Sequence, residues 1–237
     1  MNTVISFATD SFKKSQKILE QQSYIMGADK VINYDENSLD KAFIRENFYI
    51  LKNSKGSGLW LWKPYLILKT LNDLDYGDKV LYCDAGMFPI NKLKFLFDLS
   101  NKSKDIVLFQ VHEKMNKNWT KKDCFSHMGC DSDLFYNKEQ VCGAPQLYTK
   151  TENSVDFLKQ VLHFCKSSAI LDPLDYSKEE KDFIQHRHDQ SILTNLAIKH
   201  KIEIFRDPSQ FGNNFSRTNS NYPQIFNLHR GNINNAF

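Results

Sequence analysis

The chain has 237 residues, of which 41% are hydrophobic and 25% charged, with both signs mixed. That balance suits one globular domain able to bury a sizeable core, and no apolar run reaches the roughly 18 to 20 residues that a bilayer demands. A net charge of +3 is too small to argue for a nucleic-acid partner, although it is compatible with peripheral attachment to an anionic membrane. The five cysteines are an odd number without Cys-x-x-Cys spacing, so neither a disulfide framework nor a zinc site is expected. Residues 1–10 lack a basic stretch followed by an apolar one, which makes a cytoplasmic location the default.

Val4 to Ala8 reads as a first strand, and Thr9-Asp10-Ser11 as a polar turn able to cap a helix over Phe12 to Tyr24. Val31 to Tyr34 is a second short strand. Leu39 to Leu51 reads as a helix with Leu39, Phe43 and Ile50 inward. The stretch from Gly56 to Gly86 then breaks into loop, helix, turn, strand and acidic turn. Pro64 suits the first turn of its helix, Ile67, Leu68, Leu71 and Leu74 follow at helical spacing, and Gly77-Asp78 ends it. Val80 to Cys83 reads as a buried strand, which places Asp84 at its carboxyl end, where open α/β sheets hold ligands.

Pro89 and Asn91 are expected to restart a helix through Leu93, Leu96 and Phe97, before a strand from Asp105 to Val111. Asn118 to Met128 reads as one helix capped by Thr120, with Asp123 in its positive first turn. Gly143-Ala144-Pro145 is expected to break the chain ahead of a strand at Gln146 to Thr149. Thr151 should cap an amphipathic helix with Val155, Leu158, Leu162 and Cys165 inward. Ile170 to Lys181 is a loop or short helix. His186 to Ser191 leads into a helix ending near His200, and Ile202 to Phe205 is a last strand. From Asp207 to Phe237 the periodicity stops, so this stretch is expected as a C-terminal loop or tail on a single domain of residues 1–206. Strands alternating with helices make this an α/β fold with a largely parallel sheet.

Several segments carry chemistry-bearing side chains. Asp84-Ala85-Gly86 is either a plain turn or a carboxylate offered to a hard cation such as magnesium or manganese. Asp10 is either a helix cap or a group that holds a nucleotide base or ribose. Trp60 and Trp62 alternate with Leu59 and Leu61. Lys63 stands where the next helix begins, either solvated or facing a phosphate. His186, His188 and Asp189 gather ligand-type side chains at a helix start, as caps or around a metal. His229 is a lone histidine in an irregular segment.

Their order along the chain carries more than any one of them. Ser6-Phe7-Ala8-Thr9-Asp10, Tyr82-Cys83-Asp84-Ala85-Gly86, Asp189-Gln190 and His229-Arg230-Gly231 resemble, as a set, the GT-A fold glycosyltransferases, in particular the retaining glycogenin-like and bacterial lipopolysaccharide galactosyltransferase group. The Gly-x-Gly-x-Trp-x-Trp-Lys-Pro and His-Arg-His-Asp-Gln-Ser stretches resemble bacterial proteins of capsule and surface-polysaccharide biosynthesis. The resemblance implies a Rossmann-like GT-A domain in which Ala8, Thr9 and Asp10 hold the nucleotide of a UDP-sugar and Lys63 meets its diphosphate. Trp62 and His188 fall among the substrate-binding positions. Asp84 matches the first acid of an Asp-x-Asp motif, Asp189 and Gln190 lie beside the donor sugar, and His229 joins Asp84 on Mn2+ or Mg2+. Gly86 departs from the pattern, since it replaces the second acid. The implied reaction moves a sugar to a hydroxyl of a bacterial surface glycan or its lipid-linked precursor, at the inner face of the cytoplasmic membrane. Two rivals are a nucleotide-sugar-binding module without activity and a sugar-phosphate nucleotidyltransferase. The second would be expected to carry a glycine-rich loop after the first strand, where Ala8-Thr9-Asp10-Ser11-Phe12 has none.

Overall fold

Apolar residues of both parities along the central strands require cover on both faces of the sheet, and the computed structural model, which describes residues 1–101 and 103–229, supplies it. Six strands form one sheet in the order β2-β1-β3-β6-β5-β7: β1 (Asn2–Phe7), β2 (Lys30–Tyr34), β3 (Lys79–Tyr82), β5 (Ile106–Met115), β6 (Glu139–Thr149) and β7 (Ile204–Phe205). β1 is parallel to β2 and β3, and β5 to β7, while β6 alone runs the other way between β3 and β5. Because side chains alternate across a strand, Ile5, Phe7, Val80, Tyr82, Leu108 and Tyr148 point to one face and Val4, Leu81, Val107, Phe109 and Leu147 to the other. The first face packs on the helices Trp62–Asp73, Glu152–Cys165 and Asp189–Lys199, through Leu66, Phe157 and Ile192 among others. The second packs on Leu19 of the helix Lys13–Ile25, on Leu93 and Leu96, and on Phe226.

Several sequence expectations are corrected. Gly143-Ala144-Pro145 does not break the chain but lies inside β6, which starts at Glu139 because Lys63, Gln146 and the neighbouring strand satisfy its polar backbone there. Pro89 does not open a helix. It ends the short strand β4 (Met87–Pro89), where a missing N–H is tolerated, and the helix that follows is only Lys94–Phe97. Asn118 to Met128 is two helices, Asn116–Trp119 and Lys122–His127; Thr120 lies between them, donating to Asn116 Oδ1 at 2.6 Å rather than capping. Leu39 to Leu51 likewise splits into Lys41–Glu46 and Phe48–Leu51 around buried Asn47. By contrast Thr151 caps its helix in a reciprocal box with Ser154, as the sequence indicates.

The segment from Asp207 returns across the sheet edge. Its strand β8 (Phe226–Leu228) pairs antiparallel with β4, Ile225 donates to Pro208 O at 2.7 Å, and His229 N donates to Gly86 O at 3.0 Å. Arg230 and Gly231, which contribute to the resemblance, lie outside the described residues. No helix among the described residues is long and apolar enough to cross a membrane.

Candidate active site

The carboxyl ends of the parallel strands share one edge, and four of them bring residues to it: Ala8 and Thr9 after β1, Asp84 after β3, His112 of β5 beyond its pairing with β7, and Asp207 after β7. A two-lobed cleft follows this edge. The near lobe, of about 530 Å3, is lined by Ala8, Thr9, Ser57, Trp62, Tyr82 and Gly86. The far lobe, of about 510 Å3, is lined by Lys63, His112, Trp119, Asp189, Gln190 and Asp207. Trp60, Asp84 and Leu228 line both, so Asp84 stands at the junction.

The floor of the near lobe is an unusual piece of backbone. Gly56–Leu59 forms a turn of left-handed helix, with φ of 59° at Gly56, 48° at Ser57, 96° at Gly58 and 55° at Leu59, and Trp60 follows at 60°. Left-handed helix costs roughly 1–2 kcal/mol per non-glycine residue, so packing has to hold it. It does so through contacts that only glycines permit: a Cβ on Gly56 would lie 2.4 Å from the Trp60 ring, and one on Gly58 2.8 Å from Leu51 Cα. Trp62 closes the turn by donating to Gly56 O at 2.9 Å, and its ring stacks on Phe7 at 3.9 Å. Trp62 is therefore both a buried core tryptophan and a wall of the lobe.

Lys63 is no solvated lysine. Only 3% exposed, it places Nζ 3.0 Å from Asp189 Oδ2 and 3.6 Å from Asp84 Oδ1, and donates to Gly143 O at 3.2 Å. Burial works against its charge, but the carboxylates of Asp189 and Asp84 prevail and hold its pKa above the ordinary lysine value. Burial pushes Asp189 up to about 6 despite the ammonium beside it. Tyr82 donates to Asp84 Oδ1 at 2.5 Å, fixing a carboxylate whose side chain is otherwise half exposed at the lobe junction. Gly143 lies beside both groups, and a Cβ there would only touch Lys63 Nζ at 3.4 Å and Gln190 Oε1 at 3.5 Å. Gln190 itself donates to Gln140 Oε1 at 3.0 Å.

His186 and His188 serve the loop beneath. His186 Nδ1 accepts from Lys121 N, so its Nε2–H donates to Ala169 O at 2.9 Å, and His188 Nδ1–H donates to Ile170 O at 2.7 Å. Burial holds both well towards the neutral form. His188 has φ 49° immediately before the helix Asp189–Lys199 and lies 5.5 Å, ring to ring, from Trp60. Asp189 is the first helical residue and bonds Lys63 instead of capping the helix through its side chain. Asp10 is exposed, in a short 3-10 turn, outside both lobes. His229 sits against Phe88, and burial lowers its pKa. Both of its ring nitrogens are buried without a hydrogen-bond partner among the described residues.

Residues that the sequence reading missed fill the far lobe. Gln110 pairs with Val141 and Met115 with Glu139, so residues 111–114 of β5 stand opposite Gln140 alone. This bulge, with Glu113 at φ 62°, turns Val111, His112, Glu113 and Lys114 onto the cleft. His112 stacks on Phe215 at 3.8 Å and is held below its ordinary pKa by burial; Asp207 is buried and correspondingly raised. The one cue for a bulge in the sequence was the polar His-Glu-Lys run at the end of an apolar strand.

No protein-family model matches the chain, and no curated protein matches it. Solved structures do. A galactosyltransferase, LgtC, crystallised with donor and acceptor sugar analogues, superposes with a TM-score of 0.52 over 97% of this chain and 87% of its own, at 14% identity. An active-site glutamine-to-glutamate variant of LgtC gives 0.54 at the same identity and coverage. Mouse xyloside xylosyltransferase 1 gives 0.56 at 9% identity, over 98% of this chain and 99% of that one. The chain has a GT-A-type fold. Its mostly parallel central sheet is the one expected from the sequence, and the three solved structures named above that share the fold are glycosyltransferases.

Proposed function

We propose that the protein is a glycosyltransferase that moves a sugar from a nucleotide-diphosphate donor, with a UDP-sugar favoured, to a hydroxyl of a bacterial capsule or other surface glycan. The observation that carries this reading is the buried Lys63 ammonium held between Asp84, where the lobes meet, and Asp189 in the far lobe. Breaking the bond between the anomeric carbon and the diphosphate oxygen leaves negative charge on the diphosphate. A buried cation stabilises it more strongly than one in water. In this reading Ala8 and Thr9 bind the nucleotide in the near lobe, with Trp62 as its wall, while exposed Asp10 would reach it only from outside the lobe. Asp189 and Gln190 face the sugar from the far side, with His188 setting the start of their helix. The acceptor hydroxyl forms the new bond to the anomeric carbon as the bond to the diphosphate oxygen breaks, its proton passes to the departing diphosphate, and the retaining outcome follows the resemblance. A lipid-linked acceptor would bring the protein to the inner face of the cytoplasmic membrane.

In this reading Asp84 and His229 would together hold a divalent cation at the donor diphosphate. Asp84 offers a half-exposed carboxylate at the junction, and His229 offers a neutral imidazole with both nitrogens unsatisfied among the described residues, tied by its backbone to Gly86. No group of three metal-binding side chains occurs among the described residues, so donor oxygens would complete such a site. Manganese or magnesium bound there supplies Lewis-acid stabilisation of the departing diphosphate.

Gly86, standing where the resemblance has a second acid, favours as a second reading a nucleotide-sugar-binding module without turnover. Thermal-shift measurements with UDP and GDP, with and without manganese, test the binding common to both readings, because a ligand of the native state raises the melting midpoint. UDP is expected to give the largest shift. If no nucleotide diphosphate moves the midpoint, both readings fall. Hydrolysis of UDP-sugars without acceptor separates them, and its loss on chelation with recovery in manganese would support the cation. Asp84→Ala and His229→Ala should then be strongly non-additive, since each disables the same ion.

A further inference from the structure

An exposed aromatic pair stands on a strongly basic segment beside the cleft. Phe48 and Tyr49 are 62% and 65% exposed at adjacent positions, while Asn47 and Ile50 on either side of them are buried. In the helices Lys41–Glu46 and Phe48–Leu51, Phe43, Asn47 and Ile50 turn inward, so the outer face presents Lys41, Arg45, Phe48, Tyr49 and Lys52 at helical spacing. Lys52 Nζ lies 4.9 Å from the centroid of the Tyr49 ring, which sets cation and aromatic side by side. Residues 41–55 hold four basic residues, Lys41, Arg45, Lys52 and Lys55, against the single acid Glu46, a net +3 equal to that of the whole chain. The charges of all other residues cancel, so the protein's excess positive charge is carried by the segment that exposes the aromatic pair.

Other exposed apolar groups lack this combination. Leu174 stands between Asp172 and Asp175 in sequence, and Tyr24 and Ile25 lie towards the amino end of the sheet, where Asp29 N donates to Asn2 O. The basic segment is instead tied to the cleft. Leu51 backs Gly58 in the floor of the near lobe, and Lys55 pairs with Asp172, which lies 3.6 Å from His188 of the far lobe.

We propose that this face docks the protein on an anionic bilayer, with Phe48 and Tyr49 in the interfacial layer and Lys41, Arg45 and Lys52 on lipid phosphates. Aromatic rings suit the boundary between headgroups and acyl chains, and each basic residue brought to an anionic surface strengthens binding about fivefold. Docking places the cleft beside the surface that carries a lipid-linked acceptor, a use that rests on the glycosyl-transfer reading.

The test is sedimentation of the full chain with vesicles of equimolar phosphatidylglycerol and phosphatidylcholine, and with vesicles of phosphatidylcholine alone. Binding to the anionic vesicles is expected to be at least about tenfold tighter, a margin that falls as salt rises. The triple variant Lys41→Gln, Arg45→Gln, Lys52→Gln should lose about a hundredfold, and Phe48→Ser, Tyr49→Ser about tenfold or more. Tyr24→Ser, Ile25→Ser should bind as the parent does. All of these side chains are exposed, so the variants should fold, which an unchanged melting midpoint verifies. A parent that ignores anionic vesicles overturns the inference, as does binding kept by both variants of the face. Self-association of the parent that Phe48→Ser, Tyr49→Ser abolishes, with vesicle binding retained, would assign the face to a second copy and overturn it too. UDP binding is read separately by thermal shift, so a failure of vesicle binding leaves the glycosyl-transfer reading standing, and a failure of UDP binding leaves the docking face standing.

Discussion

The two lobes of the cleft are built by opposite strategies. The near lobe is drawn largely from contiguous chain: the left-handed turn, Trp60, Trp62 and the Asp84–Gly86 turn fall within one stretch of sequence, joined by the helix Trp62–Asp73 and β3. The far lobe gathers a strand bulge at 111–114, one end of β6, the residues 185–190 and the returning segment at 207–215. Where a site is contiguous, its chemistry shows as a motif. Where it is assembled by register, single residues carry no signal until the sheet is known. Lys63 belongs to both, since it follows the near-lobe turn in sequence and bonds the far-lobe carboxylate.

The largest effect is expected from cutting that link. Lys63→Ala would leave Asp189 buried without its cation, and breaking a buried pair typically costs about 3–5 kcal/mol. A large fall in chemical-denaturation stability should therefore accompany the loss of diphosphate affinity. A variant as stable as the parent would mean that the lobes are not joined through this ammonium. Asp189→Asn is the milder cut, because an amide remains hydrogen-bonding while the charge disappears. Turnover should drop about a hundredfold or more, with UDP affinity almost unchanged, as for a group that acts on the reacting sugar alone. Equal losses in kcat and in UDP affinity would place Asp189 in nucleotide binding instead.

The near lobe alone is addressed by Gly58→Ala. The new Cβ meets Leu51 Cα at 2.8 Å, and φ at this position is 96°, so about 2 kcal/mol of stability should be lost and UDP binding weakened. The far lobe should be unaffected, with hydrogen-exchange protection at 169–190 unchanged. If both lobes fail together, the turn supports more than its own side of the cleft.

Legibility followed the same division. β1, β2, β3 and the helices on Leu66, Phe157 and Ile192 could be placed from period and caps, and so could Asp84 at a strand end. The beginning of β6 was hidden by Gly143-Ala144-Pro145, residues that read as a break yet lie inside the strand, where Gly143 O accepts from Lys63 and Gln146. The Gly-Ser-Gly stretch read as a plain loop, since sequence shows where glycine stands but not that Ser57 and Leu59 follow it into left-handed backbone. His112, Trp119 and Asp207 were invisible as a group: their proximity depends on β5 pairing with both β6 and β7, contacts distant in sequence. β8 was missed for the same reason, being three residues long and paired with a strand 141 positions away at Met87↔Leu228, with Pro89↔Phe226 closing it.

The smallest effect expected is a slope with pH, and it tests whether the far lobe rests on neutral histidines. His186 and His188 pin the carbonyls of Ala169 and Ile170 beneath Asp189, and burial holds both below the ordinary histidine value of 6.5. A depressed folded-state pKa means that the unfolded chain takes up the proton first as the medium is acidified. The stabilisation is therefore complete above about pH 6.5 and declines below it, until the folded-state values are reached. Each histidine contributes a slope of at most about 1.4 kcal/mol per pH unit. Lys55, Lys121 and Asp172 also face this pair. Asp189, held up at about 6, opposes the histidines in the same window, because there the folded state takes up the proton first, so the histidine part is read from the difference that His186→Asn makes. Denaturation between pH 7 and 5 should show the decline, and His186→Asn should flatten it. Hydrogen exchange over the same range should loosen the backbone at 169–190 before the near-lobe residues 56–62. A flat stability profile, or loosening that begins in the near lobe, would show that the scattered far lobe is held by its carboxylates and aromatic stacks rather than by these two rings.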